Sequence, residues 1–380
     1  MDGLRRRTGV LAALAGLELV TVARLRVLLA HHDAEEAYAV AAGRAVPHPA
    51  VAPMLAGDVG RAWAASAGAR DPAELAARCA RVGIHAVVAA DADYPEMLRS
   101  DPQPPAVLFF RGSWDTLAQR TAGIVGTRNA TLPGRDFAAL LGEELAAAGV
   151  GVVSGLAKGI DGAAHRGSLR TSGGAHPDGV GRPIGVVANG LDTPYPRVHG
   201  DLWEAVARRG LLVSEWPPGT EPERFRFPLR NRLLAAFSEV VVVVESRERG
   251  GSLSTAREAL ERSIDVMAVP GSVHSRAAAG TNQLLRDGAA PVVEPADVLL
   301  ALGIEHRHRL GEAFDPRPLP RGSEAVVLDR CRTDPCTIEH IVTELGLSLT
   351  DAAMALARLE RSGWVRESGG WFEEVVTCAR

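Results

Sequence analysis

Lysine is nearly absent from this 380-residue sequence: of 42 lysines and arginines, Lys158 alone is a lysine. The charge does not lean positive either, since 46 aspartates and glutamates leave a net −4 with histidine neutral. A chain that holds nucleic acid through overall basicity is thereby excluded, and any such binding has to come from a local patch. Cysteine is scarce as well. Four in 380 residues make no disulfide framework, which points to the cytoplasm. No apolar run reaches the ~18 residues of a membrane span. Arg5, Arg6 and Arg7 precede the apolar stretch Leu11–Leu19, but Glu18 interrupts it and no small-residue cleavage site follows. The segment therefore reads as an amphipathic helix and not as a signal peptide. Two nucleotide fingerprints are missing too. There is neither GxGxxG with an acidic residue ~20 positions on, nor GxxxxGK followed by Ser or Thr, so neither a dinucleotide nor a nucleoside triphosphate is the natural ligand.

What is present suits a globular chain. Hydrophobic residues at 46% and charged residues at 23% leave room for two or three domains of about 100–200 residues each. Leu14, Leu17, Val22, Leu25, Leu28 and Leu29 fall at three- and four-residue spacings, and Asp71-Pro72 opens a capped helical stretch. Residues 1–90 are thus expected to form a small helical domain of SAM or helix-hairpin type, with a turn at 46–53. From 91 to 303 the pattern changes. Apolar runs at 122–126, 151–155, 184–190, 211–215, 240–245, 266–271 and 290–294 alternate with helical segments. Strands apolar on both faces, separated by helices, specify an α/β, Rossmann-like, doubly wound and mainly parallel sheet. The Gly/Pro/His-rich stretch 171–183 reads as a surface insertion and 304–322 as an interdomain linker. Residues 323–380 carry three short helical patterns, then WVRES, two glycines and WFEEV, the outline of a winged helix.

In an open parallel sheet, ligands bind beyond the carboxyl ends of the strands. Those ends here carry Gly126-Thr127-Arg128-Asn129, the stretch from Ser154 and Gly155 to Lys158, Gly159 and Asp161, and Gly250-Gly251-Ser252 opening a later helix. Glycines admit an anion close to the backbone, and free N–H groups at helix starts attract it. Arg128 and the solitary Lys158 supply charge. Further on, Arg224, Arg226, Arg230 and Arg232 are interleaved with Phe225 and Phe227. Guanidinium forks grip phosphate oxygens while aromatic faces stack on bases, the combination that tracks single strands. Arg230-Asn231-Arg232 opens a helix, where the dipole opposes cations unless an anion arrives. Gly126, Thr127, Arg128, Ser154, Gly155, Lys158, Gly159, Arg226, Arg230, Asn231, Arg232, Gly251 and Ser252 are the expected DNA-binding set.

No catalytic residue, metal site or cofactor is expected. Asp161 and His165 sit four apart on one helix, but Asp161 reads more simply as the helix N-cap. Cys331, Cys336 and His340 have loose metal spacing without a fourth ligand, and the cysteines read as core.

The chain resembles the DNA-processing protein A family (DprA, also called Smf). The resemblance runs from Asp93-Tyr94-Pro95 through IVGTR (124–128), VSGLAKGID with His165, Asn189-Gly190-Leu191-Asp192, SEWPPG (214–219), FPLRNR (227–232), GGSLSTA (250–256), VPG (269–271) and GTNQLLRDGA (280–289). It implies a Rossmann-like single-stranded-DNA-binding domain, delivery of that DNA to a RecA-type recombinase in natural transformation and recombination, and homodimers. Carried over by position, it implies DNA contacts at Arg128, Ser154, Gly155, Lys158, Gly159, Arg230, Asn231 and Arg232. Thr131-Leu-Pro-Gly134 departs from the family's Tyr-Gly entry to the first helix, and Gly250-Gly251-Ser252 from its Ser-Gly-Ser. The alternative reading is an enzyme. Gly250-Gly251 with Thr255 and Glu258 is similar to the loop of lysine-decarboxylase-like phosphoribohydrolases, which act on nucleoside monophosphates, but the spacing is off by one.

Overall fold

A computed structural model describes residues 2–171, 179–304, 317 and 320–375. Most of the expected insertion (172–178) and most of the expected linker (305–316, 318, 319) lie outside the described residues. The chain forms two compact units, Met1–His306 and Arg307–Arg380.

The first unit begins with helices α1 (Asp2–Ala15), α2 (Val22–His31), α3 (Ala34–Ala41), α4 (Asp58–Gly68) and α5 (Pro72–Val82). Asp71 accepts the Ala73 N–H at 2.9 Å and Pro72 takes the first turn, so the predicted cap forms. An alternating order follows: β1 (His85–Val87), α6 (Glu96–Arg99), β2 (Leu108–Gly112), β3 (Thr121–Val125), α7 (Leu132–Ala147), β4 (Gly151–Ser154), α8 (Ile160–Ser168), β5 (Ile184–Val186), α9 (Gly200–Arg209) and β6 (Leu211–Ser214). It continues through α10 (Arg226–Ala236), β7 (Val240–Val243), α11 (Gly251–Leu260), β8 (Asp265–Ala268), α12 (Ala279–Arg286), β9 (Ala290–Pro291) and α13 (Pro295–Ala301).

Among the described residues these nine strands make one sheet, ordered β1-β2-β6-β5-β4-β3-β7-β8-β9. From β6 to β9 every pairing is parallel. Both faces are covered, and the two-residue period of a strand shows in which core each side chain enters. Val240, Val242 and Val244 join Ala122, Ile124 and Val152 under α7 and α13. Val241 and Val243 join Val125, Val153 and Val213 under α10 and α11. β1 and β2 are an antiparallel edge that the sequence reading missed. β1 lies within residues 1–90, and this helical segment shares its core with the sheet: Leu11, Trp63 and Cys79 pack in one cluster with Phe109, Trp203 and Val206.

The second unit contains α14 (Ser323–Thr333), α15 (Ile338–Leu345), α16 (Leu349–Arg361) and the hairpin β10 (Val365–Ser368)–β11 (Trp371–Glu374), a winged helix. Gly369 and Gly370 turn the hairpin at φ of 62° and 86°, left-handed values that favour glycine. Cys331 and Cys336 are buried in its core with their sulfurs 3.5 Å apart, while the His340 ring lies against Trp371.

Candidate nucleic-acid interface

Strand order reverses at β3. β4, β5 and β6 follow on one side of it, and β7, β8 and β9 on the other. The loops after β3, β4 and β7 therefore open into a crevice at the strands' carboxyl ends, the topological switch point.

The β3 loop is fixed at several points. Thr127 N–H donates to the Glu245 carbonyl at 2.8 Å, and Thr131 N–H and Oγ1–H donate to the Glu245 carboxylate at 2.9 and 2.5 Å. Thr131 also caps α7 by accepting the Gly134 N–H at 3.1 Å. A Cβ at Gly134 would lie 2.4 Å from the Glu245 carboxyl carbon, so this Thr-Leu-Pro-Gly entry makes room for the clamp. Gly159 sits at φ +81°, and a Cβ there would lie 2.3 Å from the Thr127 carbonyl oxygen; only glycine lets the β4 and β3 loops touch.

Held this way, Arg128 is exposed, 4.5 Å over the Phe227 ring, which itself lies 5.8 Å from Tyr195. Arg128 lines two neighbouring depressions. One, of about 350 Å³, is shared with Gly126, Thr127, Arg230, Asn231, Gly251 and Ser252. The other, of about 200 Å³, is shared with Gly155, Lys158, Asn189, Tyr195 and Phe227. Most of the expected set is thus gathered at one crevice.

Their roles differ from expectation. Arg230 is only 5% exposed and donates to the carbonyls of Val186 and, at 3.2 Å, Gly155. It faces Asp161 across Gly155, where a Cβ would lie 2.5 Å from both terminal nitrogens of Arg230 and 2.7 Å from Asp161 Oδ2. Burial draws the Arg230 pKa down to about 10, so it remains cationic at neutral pH as part of the crevice floor. Asn231 ties α10 to α11 by donating to the Gly251 carbonyl at 3.4 Å. Ser252 is buried with its hydroxyl on Ser246 Oγ at 2.8 Å, whereas Gly251 faces open space.

Four expected contacts line neither depression: Gly159, where the β4 and β3 loops touch, and three side chains engaged elsewhere. Ser154 is fully buried and donates to the Ile124 carbonyl at 2.6 Å, so its hydroxyl ties β4 to β3. Arg232 is buried in an ion pair with Glu215, Nη2 to Oε1 at 2.5 Å. Two residues apart on a helix means roughly 200° of rotation, so Arg230 and Arg232 cannot face one cleft. Arg226 folds onto its own loop, 3.0 Å from Glu223 and donating to the Glu221 carbonyl. Conversely, the sequence reading missed Arg247 and Arg249, which line the larger depression. Their signal was available in Arg247-Glu-Arg249-Gly-Gly251, two arginines between a strand end and a glycine-opened helix. Arg128, Lys158, Arg247 and Arg249 are all exposed and make no ion pair among the described residues. Phe227 is the phenylalanine that lines both depressions, whereas Phe225, 58% exposed just before α10, lines neither and carries the Arg226 guanidinium 5.0 Å over its ring.

The carboxylates nearby are occupied. Asp161 is not the N-cap of α8, a place held by Gly159. Burial raises its pKa, and Arg230 facing it across Gly155 pulls it back down. His165 is fully buried, and burial lowers its pKa to about 4. Glu258, the acid of the enzyme alternative, is bound by Arg262 at 2.7 Å and is not part of the crevice lining. No group of three or more His, Cys, Asp or Glu side chains is arranged to hold a metal ion among the described residues.

Residues 85–303 match the family model described as DNA recombination-mediator protein A. DNA processing protein DprA of Bacillus subtilis is 41% identical over 217 residues, covering 57% of this chain and 70% of that protein. A putative DNA processing protein DprA of Mycobacterium tuberculosis is 39% identical over 278 residues, covering 70% and 68%. The crystal structure of DNA processing protein A from Streptococcus pneumoniae superposes with a TM-score of 0.63 at 29% identity, over 78% of this chain and 97% of that one. A solved structure of DNA processing protein A from Helicobacter pylori, described for its single-stranded DNA binding mode, gives 0.50 at 27% identity, over 58% and 95%. With its switch-point crevice built from the matched segment, the chain belongs to the DNA recombination-mediator protein A family, that of DprA and Smf.

Proposed function

We propose that the crevice binds single-stranded DNA by its phosphate backbone without breaking a covalent bond, and that the protein protects this DNA and loads a RecA-type recombinase onto it during natural transformation and recombination. The observation that carries the reading is the set of four exposed cations, Arg128, Lys158, Arg247 and Arg249, none in an ion pair among the described residues, around a crevice whose floor holds the buried Arg230 facing Asp161. Unpaired guanidinium groups meet phosphate without first giving up a carboxylate. Phe227, in the lining of both depressions, supplies an aromatic ring for a base, and a stacked base is worth ~1–3 kcal/mol and indifferent to sequence. The family's description as a recombination mediator and the single-stranded DNA binding of the Helicobacter pylori relative support the same reading. A non-catalytic role fits a crevice whose lining carboxylate, Asp161, is buried facing Arg230, while Glu258 is bound by Arg262 outside the lining. The protein acts as a cytoplasmic homodimer, in which two crevices on one strand raise avidity.

Mobility shifts of labelled oligothymidine and of a duplex of equal length, with and without recombinase added afterwards, test this. The parent should favour the single strand, and R128A/K158A should lose most of that binding at an unchanged melting temperature. Equal affinity for duplex, or parental binding by R128A/K158A, would refute the assignment. Release of adenine from AMP at enzyme-like rates would instead revive the phosphoribohydrolase reading.

A further inference from the structure

A third depression, of about 410 Å³, also contains Arg128 and Lys158, and it opens away from the α10–α11 side toward α7 and α8. Its wall adds Arg135, on the first turn of α7, and Arg166, on α8. Both are exposed. Arg135 makes no ion pair among the described residues, and Arg166 reaches only the exposed Asp201 at 3.9 Å, a long contact that water and salt screen. The floor is small: Ala130, Gly162 and Ala163 leave backbone within reach. His199 closes one side, anchored by Nδ1–H donating to the Leu156 carbonyl at 3.0 Å.

The fold holds the two arginines near one another because α7 and α8 pack almost backbone to backbone. A Cβ on Gly142 would lie 2.1 Å from the Ala164 carbonyl oxygen, and one on Gly167 1.9 Å from that of Ala139. The result is a basic depression with a shallow, side-chain-poor floor that is continuous with the crevice through Arg128 and Lys158. The family motifs mark only its Arg128, Lys158 and Gly159 side; neither Arg135 nor Arg166 belongs to the expected DNA-binding set.

We propose that this depression is an exit arm of the DNA tract: a strand leaving the central crevice past Arg128 and Lys158 lays its next phosphates against Arg135 and Arg166. The inference rests on the single-stranded-DNA reading of the crevice. A phosphodiester backbone is the ligand that fits, because the arm offers two guanidinium groups and bare backbone, with the tethered His199 imidazole the one ring among its lining residues.

The test compares R135A/R166A with the parent on oligothymidines of increasing length, at several salt concentrations. Each single-strand phosphate contact contributes ~0.7 to the log–log salt slope. On long oligonucleotides the double variant should therefore lose about 1.4 from the slope, with weaker binding at low salt. On the shortest oligonucleotides that still bind, which fill only the crevice, it should match the parent. The melting temperature should not move, because both side chains are on the surface. Parental slope on every length overturns the arm, and so does an equal loss on short and long strands. R128A/K158A, run alongside, separates the two readings. If it loses binding at all lengths while R135A/R166A matches the parent, the crevice stands and the arm falls. If it binds like the parent, the reading of the crevice falls and takes the arm with it.

Discussion

Replacing Arg232 with alanine asks whether this arginine touches DNA or holds the fold. Arg232 and Glu215 are 7% and 9% exposed, and one hydrogen bond of 2.5 Å joins them. Breaking a buried pair by deleting one partner costs ~3–5 kcal/mol, because the other charge stays buried without compensation. Here the pair is single-pronged, and Arg232 Nη1 has no partner, which places the cost near the lower bound. At ~2–4 °C per kcal/mol for a unit of this size, the melting temperature should fall by roughly 6–20 °C, toward the smaller figure. Burial pushes the Glu215 carboxyl upward while Arg232 pulls it down, so without Arg232 only the upward push remains. A carboxyl raised in the folded state keeps its proton at low pH, so the variant's deficit should shrink as pH falls. R232M/E215L, which removes both charges, should recover most of the loss. Thermal unfolding of the three variants, followed by oligothymidine titration well below each midpoint, gives the answer. The expected result is a lower midpoint with the parental salt slope. An R232A protein that melts like the parent but loses ~0.7 from its salt slope would refute the structural role and restore Arg232 to the DNA contacts.

The remaining expectations concern the rim, a buried histidine and a strained glycine. If Arg128, Lys158, Arg247 and Arg249 each meet one phosphate, the crevice contributes a log–log slope of about −3, and R247A/R249A should remove about 1.4 of it in filter binding at several salts; no change would show that these two point past the strand. His165 is neutral in the folded state down to about pH 4 and has an ordinary value of 6.5 when unfolded. Its contribution is therefore intact above about 6.5 and is lost progressively as the unfolded chain gains a proton below that, reaching about 3 kcal/mol by pH 4. Urea midpoints measured from neutral to acidic pH should show this decline, and H165Q should flatten it. G159A forces a Cβ to within 2.3 Å of the Thr127 carbonyl oxygen at a φ of +81°, so it should destabilise by ~1–3 kcal/mol and weaken oligothymidine binding further by moving the Arg128 loop; a variant with parental stability and affinity contradicts the packing described.

Much of the sheet was legible because burial on both faces leaves a simple trace. Val240–Val244 is apolar at every position, and the structure sends alternate residues to opposite cores. Helix starts were legible where a side chain caps the adjacent backbone, as at Asp71. The antiparallel edge was not legible: His85–Val87 is three residues long, and its pairing with Phe110, Phe109 and Leu108 is decided by tertiary contact and not by local pattern. The position of the crevice followed from glycine-rich loops at strand ends, since both the turn and the close approach of loops demand that residue.

Which arginines stay free was the illegible part, because it depends on partners from other elements. Glu215 comes from the end of β6 to hold Arg232, the carbonyls of Gly155 and Val186 hold Arg230, and Glu223 holds Arg226. One element of this was nevertheless written in the spacing, since helical rotation forbids residues 230 and 232 from sharing a face. The outcome separates the basic residues by depth. Arg230 and Arg232 are paired within the protein, so they position α10 and through it Asn231 and the start of α11, and their loss is a loss of fold. Arg128, Lys158, Arg247 and Arg249 stand on the rim without a carboxylate partner among the described residues, so little has to be given up when an anion arrives, and their loss is a loss of affinity. A binding surface built this way is strong at low salt and released readily as salt rises, because the charges that do the gripping are the ones left in water.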